Sequence, residues 1–210
     1  WSMQKCEKKK DALIGLLCLL MWLAVSGCAT MVTEVAKKAW EGRSTEDQVL
    51  DAKIGAGILD RLSGKDKGLL LDIGVDVWEQ RVMLTGVLDK AATIDEALRL
   101  AKEDSRIKKT YNEIQLVTAK EKERRRKDKE ESDKKPGGAG QSVNDFWLET
   151  KISAQLLTTK KVASVNYRWR SALNKVFIIG KAADSMERDL VLSVIREVEG
   201  VKSVKDFIAF

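Results

Sequence analysis

One pattern occurs twice in this sequence, and a chain built by repetition must solve the same folding problem two times over. Asp51-Ala52-Lys53-Ile54 with Ile58-Leu59 recurs 98 residues later as Glu149-Thr150-Lys151-Ile152 with Leu156-Leu157. Val82-Met83-Leu84-Thr85-Gly86 recurs 94 residues later as Val176-Phe177-Ile178-Ile179-Gly180. From Gly86 to Ile114, and from Gly180 to Ile208, the spacing is 28 residues in both copies. The four-residue slip between the two offsets falls where the first copy carries Ser63-Gly64-Lys65-Asp66-Lys67-Gly68, loop chemistry that tolerates insertion.

Each copy reads helix, strand, strand, helix, strand. Leu50, Ile54 and Ile58 recur at helical spacing, as do Leu148, Ile152 and Leu156. Leu71, Ile73, Val75 and Val77 alternate with Asp72, Gly74 and Asp76, the period of a half-buried strand. Gln80-Arg81 turns the chain into Val82–Val87, a hairpin. A second amphipathic helix is expected over Ala91–Lys102 and a last strand over Tyr111–Val117. In the second copy the strands are Val165/Tyr167/Trp169 and Val176–Gly180. A helix over Ser185–Val198 with Gly200 as its C-cap, and a strand over Ser203–Phe210, complete it. The fold class is α+β, with two tandem units of about 70 residues that are marginal alone. In each, two helices cover one face of a small mixed three-stranded sheet. The units span 45–118 and 143–210, joined by a charged linker over 119–142. Residues 120–135 of that linker are almost all charged and Pro136-Gly137-Gly138-Ala139-Gly140 follows. Having no apolar residue for a core, it reads as a solvated helix or a disordered tether.

The N-terminus reads as an address. Lys5, Lys8, Lys9 and Lys10 precede an uncharged apolar run over Ala12–Ala24. Those 13 residues fall short of the roughly 20 a membrane-spanning helix needs. A basic stretch followed by a short apolar one is a secretory signal peptide, here over 1–27. Val25-Ser26-Gly27-Cys28 resembles the bacterial lipoprotein signal, in which Cys28 is acylated and begins a mature tether over 28–44. The alternative is an ordinary signal peptide with a chance cysteine. Cys6 and Cys18 lie in the removed segment, so Cys28 is the one mature cysteine and forms no intramolecular disulfide. Two or more acyl chains would anchor it stably.

The residue inventory excludes most chemistry. There is no His, hence no Ser-His-Asp triad, no Cys-His dyad and no His-containing metal site. No phosphate-binding GxxxxGK[ST] loop is present. Asp72 and Asp76, either side of Gly74, read as an exposed strand face rather than a catalytic pair. Arg168 and Arg170 alternate with Tyr167 and Trp169, which read as a half-buried strand with a solvated Arg face rather than a nucleic-acid platform. No catalysis, no cofactor, no metal and no nucleic-acid partner are expected.

Charge is shared unequally. Residues 45–118 hold 11 basic and 14 acidic residues, net −3, whereas 143–210 hold 11 and 8, net +3. The first helix of copy two places Trp147, Lys151, Ala154 and Thr158 on a face beside its core stripe, and Lys160 and Lys161 follow at its end. The first-copy equivalent of Trp147 is Val49. Tryptophan favours the membrane–water boundary, and a neighbouring Lys can snorkel to phosphate. The bland alternative is that Trp147 packs against the first unit or the linker.

The helix-strand-strand-helix-strand unit, the strand ending in Gly86 or Gly180, and the closing Glu199-Gly200-Val201-Lys202-Ser203-Val204 resemble the BON domain of bacterial envelope proteins. With the lipoprotein signal, two such units resemble the dual BON-domain outer-membrane lipoprotein family. The likeness is clearest over Asp145–Ile152 and Gln155-Leu156-Leu157, and the first copy departs from it at Ser105–Thr110, which lacks the Gly-Val pair. The resemblance implies a non-enzymatic, lipid-anchored protein of the outer membrane that faces the periplasm. It implies that the second domain binds an anionic phospholipid surface, with Trp147, Lys151, Lys160 and Lys161 as the contact residues, and supports outer-membrane integrity. The alternative is a protein-binding adaptor or chaperone-like module of the periplasm, with envelope proteins as partners.

Overall fold

Two near-identical folding solutions emerge from the repeat. The computed structural model describes residues 41–134 and 141–210. The stretch expected to be a signal peptide, Cys28 and most of the expected tether lie outside them. The first half runs α1 (Thr45–Lys65), α2 (Leu69–Asp72), β1 (Ile73–Trp78), β2 (Arg81–Leu88), α3 (Ala91–Lys102) and β3 (Lys109–Leu116). Helix α4 (Ala119–Lys134) follows. The second half runs α5 (Gln141–Thr158), a 3₁₀ turn (Ser164–Asn166), β4 (Tyr167–Ala172), β5 (Lys175–Lys181), α6 (Ser185–Glu197) and β6 (Ser203–Ala209). Helix α6 closes on Val198, with Gly200 (φ 98°) two residues further on, so the expected glycine cap belongs to the turn after the helix. Each half builds a three-stranded α+β sheet in which the first pair is antiparallel and the second parallel.

The two halves superimpose in sequence at one constant offset of 94 residues. Val75 pairs with Leu84 as Trp169 pairs with Ile178, and Gly86 with Ile114 as Gly180 with Ile208. The buried stripe of α1 is Ile54, Ile58 and Leu62, and that of α5 is Leu148, Ile152 and Leu156. The 98-residue match of the first helices is therefore one helical turn out of register. Residues four apart lie on nearly the same helix face, so an i, i+4 apolar stripe looks alike in either alignment. There is no inserted loop: α1 runs through Ser63-Gly64 to Lys65. Leu71, expected in the strand, sits in α2 and is 80% exposed.

A buried carboxylate fixes the register. The backbone N–H groups of Glu79 and Gln80 donate to Asp51 at 2.7 and 2.8 Å, and those of Leu173 and Asn174 donate to Asp145 at 3.1 and 2.9 Å. All four turn residues have positive φ, between 49° and 65°, as a two-residue I′ hairpin requires. None is Gly, so the carboxylate holds a backbone conformation that side chains disfavour. Each carboxylate also meets an arginine from the preceding segment: Arg43 donates to Asp51 at 2.5 Å, and Arg125 donates to Asp145. Gly86 and Gly180 are also equivalent. A Cβ there would lie 2.0 Å from the Asp72 carbonyl oxygen and 2.2 Å from that of Asn166, so only glycine admits the close approach.

Arg125 corrects the reading of the linker. Its first 16 residues form α4 and residues 141–142 already belong to α5. Charged residues can do core work when paired. Arg125 is buried against Asp145, while Lys122 bonds Asp72 and Asp89 of the first half at 2.8 and 3.3 Å.

The helices cover one face of each sheet, forming two apolar cores. The uncovered faces pack against each other. Trp78 and Met83 of the first sheet are buried with Ala172, Phe177 and Ile179 of the second, and Tyr111 stacks on Phe207 with ring centroids 3.9 Å apart. Asp76 and the Arg face of β4, both expected in solvent, meet here: Arg170 Nε donates to Asp76 at 2.9 Å and Arg168 lies 5.4 Å over the Trp78 ring. Glu113 pairs with Lys205 at 2.7 Å and Glu79 with Lys181 at 3.4 Å. Arg81 donates across the gap to the carbonyls of Phe207 and Gly180. Arg125→Ala, which strips the cation from a buried carboxylate, is expected to cost about 3 kcal/mol of folding stability. Arg126→Ala, one residue on and exposed, should stay within about 0.5 kcal/mol of the parent. Urea denaturation of the two variants reads the contrast.

Candidate functional site

Once the core stripe of α5 is accounted for, a second apolar stripe is left over. Phe146, Thr150, Ser153, Ala154 and Leu157 line a shallow groove against Trp169 of β4, with Glu149 at its side. Phe146 is 66% exposed, Trp147 47% and Leu157 63%. Phe146 and Leu157 are three turns apart on one line of the helix. Trp147 meets Phe146 edge-on at 6.3 Å. Trp169 is half-buried behind them and its Nε1 donates to the Glu149 carbonyl at 3.2 Å. The Thr150 hydroxyl donates to the Phe146 carbonyl at 3.0 Å, so its polar group is satisfied within the helix.

Of the four residues expected to contact lipid, two come together. Lys151 lies one turn from Trp147, and its ammonium stands 3.7 Å from Glu199 in an open pair, the two side chains 49% and 95% exposed. Such a pair contributes little, so Lys151 is available to an anion. Lys160 and Lys161 are exposed at the far end of α5, roughly 20 Å along the axis from Trp147. They follow Leu157 by three and four residues, beyond the helix end at Thr158. The sequence reading missed Phe146 and Leu157, although their shared line on the helix and the completeness of the core without them were the available signal. The first-half counterpart of Trp147 is Lys53, not Val49, and those of Phe146 and Leu157 are Ala52 and Ser63. The aromatic stripe thus belongs to the second half alone.

Glu149 gives the groove its electrostatic character. Its carboxylate accepts from the Ser171 N–H at 2.7 Å and lies 4.0 Å from Arg170. Burial pushes its carboxyl above the usual range; the Ser171 N–H and Arg170 pull it back, and Asp76 and Asp145 push it up further. The positive excess of the second half is partly spent inward, because Arg170, Lys181 and Lys205 pair with acids of the first half. Among the described residues no group of three or more His, Cys, Asp or Glu side chains could hold a metal ion, and no helix is long and apolar enough to cross a membrane.

These features define a tandem duplication of a small helix-strand-strand-helix-strand domain, with a distinct surface on the second copy. The chain belongs to the BON domain family, whose pattern matches residues 46–118 and 144–210. It is 28% identical over 141 residues to the "Uncharacterized protein in gshII 5'region" of Anaplasma centrale, covering 67% of this chain and 83% of that one. It is 25% identical over 163 residues to the 21 kDa hemolysin of Actinobacillus pleuropneumoniae, covering 78% and 73%. With the Osmotically-inducible protein Y of Escherichia coli (strain K12) it shares 26% identity over 165 residues, covering 79% and 73%.

Exposure sets what these side chains do for the fold. Phe146→Ala and Leu157→Ala should each leave the thermal midpoint within about 2 °C of the parent. Leu156→Ala, buried one residue away, should cost about 2–5 kcal/mol. Calorimetry of the three variants distinguishes a stripe kept for contact from one kept for packing.

Proposed function

We propose that this chain is a non-enzymatic envelope protein of the periplasm whose second BON domain binds anionic phospholipid. In this reading acylated Cys28 holds it in the outer membrane, facing the periplasm, where it supports membrane integrity. The observation that carries the reading is the exposed Phe146/Trp147/Leu157 stripe with Lys151 beside one end and Lys160 and Lys161 beside the other. Aromatic side chains seat at the membrane interface, and each basic residue near an anionic surface adds about 1 kcal/mol of attraction. A relative named for induction by osmotic stress and another named as a hemolysin fit a protein that works at an envelope. The second reading, a protein-binding adaptor or chaperone-like module, rests on the groove between α5 and β4, which would suit an apolar segment of a partner.

Residues 42–210, a compact unit, should float with vesicles containing phosphatidylglycerol and not with phosphatidylcholine alone, with binding weakened by salt. Trp147→Ala should weaken that binding roughly tenfold, about 1.4 kcal/mol, without lowering the unfolding midpoint. A folded variant that binds as the parent does would eliminate Trp147 from the contact. Absence of flotation on either vesicle would turn attention to the adaptor reading.

Glu149 makes the contact pH-dependent. Its raised folded value means the native state holds this proton more tightly than the unfolded chain does. Its stability contribution is therefore greatest below the ordinary carboxylate range and is lost as pH rises through the raised value. Protonation also removes a negative charge from the groove, so vesicle binding should strengthen as pH falls through that same window. Glu149→Gln should flatten both profiles. Flotation and thermal melts followed upward from the ordinary carboxylate range check this.

A further inference from the structure

The two sheet faces meet across a pseudo-twofold axis, because domains 94 residues apart in register pack face to face. Asp76 meets Arg170, which is its own counterpart in the second domain, so this pair lies on the axis. Tyr111 stacks on Phe207 while Glu113 pairs with Lys205; counterparts have exchanged places, as the axis demands. Such an interface resembles that of a homodimer, but its charges are not symmetric. In every ion pair named across it, the first domain supplies the acid and the second the base.

A contact between two first-domain faces would put Asp76 against Asp76 and would set Glu113, 7% exposed, against Tyr111 in place of Lys205. Two second-domain faces would put Arg170 against Arg170 and Lys205 against Phe207. We propose that the two sheet faces are a matched pair: the first domain's face accepts a second-domain face and rejects a copy of itself. The charge on the axis is the selector. The apolar patch of Trp78, Met83, Phe177 and Ile179 supplies adhesion that either pairing could use, whereas Asp76 and Arg170 decide which pairing forms. The inequality of charge between the halves, net −3 and net +3, is then an address between domains as well as a surface property.

A charge-swap cycle on residues 42–210 tests this, because each single variant builds into one chain the charge pair that a like-with-like contact would meet. Arg170→Asp places Asp opposite Asp76, and Asp76→Arg places Arg opposite Arg170. Each should lower the thermal midpoint by about 5 °C or more, and the double variant, with the pair reversed, should recover part of that loss, Glu149 lying beside position 170. The swap Glu113→Lys with Lys205→Glu, off the axis, should show the same pattern if a single axis variant fails to fold. A double variant whose loss equals the sum of its singles, or singles that melt with the parent, would overturn the proposal.

Discussion

The fold depends on the closure of two open sheet faces onto each other. Helices cover only one side of each three-stranded sheet, and a unit of about 70 residues buries too little surface to leave the other side in water. Trp78, Met83, Phe177 and Ile179 fill the gap between the sheets. At roughly 2 kcal/mol for each large side chain removed from water, that contact matters to both domains at once. Two small domains thereby share one interface and one stabilising core between them.

How much of this was legible in the sequence follows from the kind of signal each part carries. The order of the main helices and strands and the α3 helix were readable, since apolar periodicity reports a single buried face directly. The helix register was not, because a four-residue shift preserves the stripe. The arbiter, Asp51 or Asp145 beneath a distant turn, is a tertiary fact. Burial of the second sheet face had left a trace that alternation alone does not show. Val82 to Thr85 and Val176 to Gly180 are buried without a break, which is how strands covered on both faces read. Arg125 was invisible within its run of charges, where composition predicts solvent and a single carboxylate partner decides otherwise.

The candidate site divides in the same way. Trp147 and Lys151 could be placed on one helix face from spacing alone. Phe146 and Leu157 could be recognised as surplus only once the core was seen to be complete without them. Lys160 and Lys161 are close to Trp147 in sequence but lie a helix length away in space. Glu149 is the least legible member. Its character comes from burial beside Ser171, Arg170 and Asp76, which no local pattern encodes.

The arginines that close the two hairpin turns come from outside the domains as the family pattern delimits them. That pattern begins at 46 and 144, whereas Arg43 and Arg125 precede it. The unit that recurs as sequence is therefore shorter than the unit that folds. A piece cut at the recognisable boundary would carry a buried carboxylate without its counter-charge and would look unstable for a reason unrelated to the domain itself. By the same logic α4 is part of the second domain's structure. Lengthening or replacing it would act on the fold of that domain as well as on its distance from the first.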